Sequence, residues 1–160
     1  MCVRHTSIGY TCCNDEPPER TLYRKEPNVT THATGTFQLT GWDEKPYVEG
    51  DGVAKLTQAH VTQTFTGDIR GDGAVEWLMA YRSDGTANFV GMQRVDGQIG
   101  DREGTFVLQI AGTFDGKEAK GSWFVVPGSG SGHLQGLEGE GGMSAPMGPE
   151  ATYTLDYSLA

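Results

Sequence analysis

The sequence predicts an all-β fold, an eight-stranded antiparallel up-and-down barrel, and three observations lead there. A run of strand, tight turn, strand repeats without a helix from Lys55 to Phe124. Each turn carries a glycine signal: Arg70-Gly71-Asp72-Gly73, Ser83-Asp84-Gly85-Thr86, Ile99-Gly100-Asp101-Arg102 and Phe114-Asp115-Gly116-Lys117. Strand-like segments continue on both sides of the run, and closing them into a barrel removes the exposed edges an open sheet would leave.

In chain order, Met1 to Asn28 has no hydrophobic periodicity and carries Pro17, Pro18 and Pro27, so it reads as a disordered tail. Residues 29–160 form a single barrel domain. Thr34 to Gly41 is the first strand, with Phe37 and Leu39 on one face. Trp42-Asp43-Glu44-Lys45-Pro46-Tyr47 is expected to break it, since Pro46 cannot continue a central ladder, and the residues to Gly52 to form a loop. Strands follow at Lys55–Asp68, Ala74–Arg82, Thr86–Asp96, Glu103–Thr113 and Glu118–Val126. Pro127 to Gly132 reads as a flexible connector, His133–Met143 as a glycine-kinked strand and Thr152–Leu159 as the last.

Composition excludes several functions. The net charge is −9, and from Val29 onward 8 Lys/Arg oppose 17 Asp/Glu, which argues against nucleic acid as a partner. Cys2, Cys12 and Cys13 all lie in the tail without zinc-ligand spacing, so neither a metal nor another cofactor is expected. A body without cysteines suits a reducing, cytoplasmic compartment. No apolar run reaches the roughly 20 residues that span a bilayer, so no membrane association is expected. The Gly128-to-Gly132 stretch lacks the lysine and helix of a phosphate loop, and no Ser/His/Asp or Cys/His arrangement can be assembled.

Counting across the turns assigns two faces. Taking each glycine pair as a hairpin tip places Phe65 opposite Leu78, Glu76 opposite Gln93, Val95 opposite Phe106 and Leu108 opposite Trp123. The face holding Gln63, Phe65, Glu76, Leu78, Ala80, Phe89, Gln93, Phe106, Leu108 and Trp123 is the predicted lumen, apolar and spaced by small residues. The opposite face holds the threonines of 62–66 with Arg94 and Lys120. It also holds Trp77, Met79, Met92 and Phe124, which are too apolar to face water alone and predict a homo-oligomer through that wall. The inverse assignment would bring Tyr81, Arg94 and Gln109 inside.

Within that lumen Glu76 is the sharpest candidate. A carboxyl among Phe65, Leu78 and Phe89 would be desolvated and its pKa raised toward general acid–base use, with Gln93 orienting it. Gln63, Phe65, Leu78, Phe89, Phe106, Leu108 and Trp123 would contact a small apolar or amphipathic ligand. Trp42 and Tyr47 would cap a barrel mouth, and His60 and His133 read as surface residues.

The residues also resemble a bacterial family, the domain of unknown function 3224. The resemblance rests on Ala33-Thr34-Gly35-Thr36-Phe37, Trp42-Asp43-Glu44-Lys45-Pro46-Tyr47, Gly67-Asp68, Val75 to Arg82, Phe89-Val90-Gly91 and Gly104 to Gln109. It continues through Val125 to Gly130, Gly139-Glu140-Gly141-Gly142 and Leu155-Asp156-Tyr157. It implies an eight-stranded, oligomeric barrel similar to that of allene oxide cyclase, with no established activity and no catalytic residue to carry across. By fold analogy a cofactor-independent cyclase or isomerase using Glu76 is the alternative to simple binding, and a purely structural oligomer is the third. Because relatives begin near Val29, the resemblance also implies that translation starts there, from a valine codon.

Overall fold

A computed structural model of the chain describes residues 29–148 and 150–159. The expectations for the tail, its cysteines and the start at Val29 lie outside the described residues. The strands are β1 (Thr31–Val48), β2 (Lys55–Gly67), β3 (Ile69–Tyr81), β4 (Ala87–Ile99), β5 (Arg102–Phe114), β6 (Glu118–Val125), β7 (Leu137–Pro146) and β8 (Glu150–Leu159). Each pairs antiparallel with the next and β8 pairs with β1, closing the predicted eight-stranded barrel. A short 3-10 turn, Gly132–Leu134, precedes β7. Among the described residues no helix is long and apolar enough to cross a membrane.

Five local expectations are corrected. First, Pro46 does not end β1, which continues to Val48. β8 pairs with β1 only as far as Gln38, so the later half of β1 has one free side where a missing N–H costs nothing. Second, the β2–β3 turn lies at Gly67-Asp68-Ile69, not at Gly71-Asp72. Gly71 and Gly73 are strand residues instead. A Cβ on Gly73 would sit 2.8 Å from both the Phe65 ring and the Gln93 amide, so the glycine makes room for packing.

Third, the β3–β4 loop has three residues, Ser83-Asp84-Gly85, closed by the Arg82–Thr86 backbone bond of 2.8 Å and by Gly85 at φ +85°. Reading it as a two-residue loop slips the register by one and turns the strand over. Fourth, the 127–132 connector is pinned along β5: Ser131 N donates to Thr105 O at 2.8 Å, and Ser129 Oγ accepts from Val107 N at 3.1 Å. Fifth, His133 belongs to the 3-10 turn and β7 begins only at Leu137.

The second and third corrections flank β3, so β3 alone faces opposite to expectation while β2, β4, β5 and β6 keep their predicted faces. Val75, Trp77 and Met79 are buried, and Glu76 and Leu78 are exposed. Gly91, directly opposite Trp77, provides the indole's space, since a Cβ there would lie 2.5 Å from it. Energetics favour this phase: burying a large apolar side chain contributes about 1.5–3 kcal/mol, whereas burying an unpaired carboxylate costs several. Trp77 and Met79 are therefore not part of an outer apolar wall. Met92 and Phe124 are, together with Leu78 and Val90, and Leu78 pairs directly with Val90.

The interior divides along the barrel axis. At the end holding the β2–β3 and β4–β5 turns, Phe65, Ile69, Val95, Ile99, Phe106, Leu108 and Leu155 fill the lumen, and Leu134 of the 3-10 turn is fully buried among them. Tyr153 ties this end together. Its hydroxyl donates to Thr66 O at 2.9 Å and accepts from Ile69 N at 2.8 Å, and burial raises its pKa.

Candidate functional site

The other end is open. A cavity of about 310 Å³ enters between the β3–β4, β5–β6 and β7–β8 turns and descends to the barrel's middle. Its wall is largely apolar because inward positions of β1, β3, β4 and β5 supply Phe37, Trp77, Met79, Phe89 and Phe114, while Ala87, Ala119 and Ala151 leave the space unfilled. Trp77 and Phe89 stack edge to face at 4.9 Å, which fixes one side.

Few polar groups converge on this space. Gln63, 4% exposed, stands at the inner end, where its Oε1 accepts from Gln93 Nε2 at 2.8 Å. At the mouth the Tyr81 hydroxyl donates to Glu44 at 3.0 and 3.3 Å, and Trp42 Nε1 donates to the same carboxylate at 3.2 Å. Burial, then the Glu44 hydrogen bond and charge, push the Tyr81 phenol up to about 12, against a small opposing effect of Thr57. Tyr81 is thus a fixed donor at neutral pH, not a base. Thr57 is fully buried, with its hydroxyl beside the Tyr81 phenol.

The structure separates the predicted site residues. Gln63 and Phe89 line the cavity. Gln93 lies behind Gln63 and is bonded to it, not to Glu76. Phe65, Phe106, Leu108 and Trp123 belong to the packed core, and the Trp123 indole donates to Thr154 O at 3.0 Å. Leu78 is on the outer surface.

Glu76 is outside as well. Its side chain is 56% exposed, with Oε1 2.5 Å from Nδ1 of His60 on β2. The desolvated acid expected there does not exist, because the β3 reversal carries Glu76 into water. Among the described residues no cluster of three or more His, Cys, Asp or Glu could hold a metal ion. Of the inverse set, Tyr81 lines the cavity while Arg94 and Gln109 stay exposed.

Sequence reasoning missed Glu44, placed in a loop, and Trp77, Met79 and Tyr81 as lining residues. The signal for β3 was present, since Val75, Trp77, Met79 and Tyr81 make the more apolar of its two faces.

A family model described as "Protein of unknown function (DUF3224)" matches residues 33–157. Among solved structures, the chain is similar to a crystal structure of a protein of unknown function from the DUF3224 family of Shewanella oneidensis MR-1. The two share 30% identity, with a TM-score of 0.68, over 82% of this chain and 99% of that one. No curated protein matches.

Proposed function

The chain belongs to the DUF3224 family, and from that premise we propose that it is a binding barrel which holds a small apolar or amphipathic molecule in the open half of its lumen. One observation carries the proposal: a cavity of about 310 Å³ persists beside a fully packed half. That size reaches the lower bound of about 300–1,000 Å³ for small-molecule sites and exceeds what packing defects leave. A purely structural barrel would have no reason to stop filling its interior halfway. The cyclase alternative has less support, because Glu76 faces water and the cavity's own phenol is held protonated and is no base. The proposed setting is cytoplasmic, as the cysteine-free body suggests.

Native mass spectrometry of freshly purified protein tests the reading, with retention of a small molecule expected. Ala119→Phe, which narrows the mouth, should abolish it. Retention that survives this change would place the ligand elsewhere. The exposed Leu78, Val90, Met92 and Phe124 also support self-association, for which light scattering with Met92→Lys is the direct check.

A further inference from the structure

Resting on that reading of the cavity, the chemistry of its few polar groups narrows the ligand class. Gln63 spends its Oε1 on Gln93, so among the described residues its NH2 donors have no partner while the side chain lines an apolar space. A donor that faces an apolar space gains a hydrogen bond when a ligand oxygen meets it. That amide points toward a ligand that carries a hydrogen-bond acceptor into the barrel.

The charges at the mouth set the opposite condition. Glu44 holds the Tyr81 phenol, and Glu150 lines the rim. Lys55, 5.8 Å above the Tyr81 ring, is already 3.8 Å from Glu49. Among the described residues no arginine or lysine lines the cavity, so a carboxylate would enter past two like charges and meet no cationic lining.

We propose that the cavity takes a compact, uncharged, ring-bearing molecule whose carbonyl or ether oxygen reaches the Gln63 amide, and that it discriminates against carboxylates. The modest volume suits one small ring system and excludes long acyl chains, while Trp77 and Phe89 present the flat walls that a ring packs against.

Calorimetry with three probes of one shape tests this: 2-acetylnaphthalene, 2-ethylnaphthalene and 2-naphthoate. The ketone should bind about tenfold more tightly than the hydrocarbon, and the carboxylate at least about tenfold more weakly than the ketone. Replacing both amides, Gln63→Leu with Gln93→Leu, avoids stranding either one. It should erase the ketone's advantage and leave hydrocarbon binding in place. Glu44→Gln with Glu150→Gln should raise naphthoate affinity without changing that of the hydrocarbon. Equal binding of ketone and hydrocarbon to the parent protein overturns the acceptor rule but leaves the binding barrel standing. Naphthoate binding as tight as the ketone overturns the charge rule in the same way. If none of the three binds, the cavity reading falls with this inference.

Discussion

The two halves of one lumen, built from the same eight strands, are put to opposite uses. The end around Phe65, Phe106 and Leu134 is closed by packing: its large side chains are buried, a 3-10 turn seats Leu134 in the core, and Tyr153 ties Thr66 to Ile69. The end around Trp77, Phe89 and Phe114 uses side chains of similar size but sets alanines between them and, among the described residues, has nothing seated in its mouth. Barrel closure therefore does not decide whether a barrel is solid or hollow. The placement of small residues and of a plug does.

The largest effect that can sharpen this contrast is truncation on either side. Phe106→Ala should cost about 3–5 kcal/mol in urea unfolding, because it leaves a void in dense packing. Phe114→Ala, at the rim of an existing space, should cost less than half as much. Equal costs would mean that the open half is packed like the closed one.

Enlargement should run the other way. Val95→Phe should destabilise by about 1–3 kcal/mol through overpacking. Ala119→Phe should stay within about 0.5 kcal/mol of the parent while removing ligand binding, since its ring has room to enter.

At the open mouth, the Tyr81–Glu44 hydrogen bond should contribute about 0.5–1.5 kcal/mol, measured as the loss in Tyr81→Phe. Its pH dependence has a definite sign. The folded phenol holds its proton up to about 12, against 10.0 when unshifted, so the Tyr81 contribution is complete below pH 10 and is lost as pH rises toward 12. Ultraviolet titration of the parent minus Tyr81→Phe should isolate that late step. A difference spectrum with its midpoint near 10 would refute the burial and bonding assigned to Tyr81.

The smallest effect belongs to the outer wall. Glu76→Gln should change stability by no more than about 0.5 kcal/mol and leave ligand binding untouched, because its pairing with His60 is solvent-exposed. A marked loss of binding would return Glu76 to the cavity and reverse the assignment of β3.

Legibility followed the turns. The β4–β5 register was readable because Gly100-Asp101 forms a two-residue hairpin, and Val95 does face Phe106. In β5–β6 the tip moves by one residue, so Trp123 meets Ile110 and not Leu108; the pairing shifts by two and every face survives. Around β3 the slips were odd, and Glu76 exchanged places with Trp77. Gly71 and Gly73 could not be told from turn glycines locally, since the groups that need their space, Phe65 and Gln93, belong to other strands.

The sequence by itself determined that the chain is all-β, that its strands run up and down, and that its interior is apolar. Strand periodicity and turn chemistry are local properties written in neighbouring residues. Only the tertiary structure decided which face of β3 turns inward, that Leu134 seats in one end, and that Glu44 meets Tyr81 at the other. Those outcomes depend on loop length to the residue and on contacts between strands distant in sequence, where one residue of register reverses a whole face.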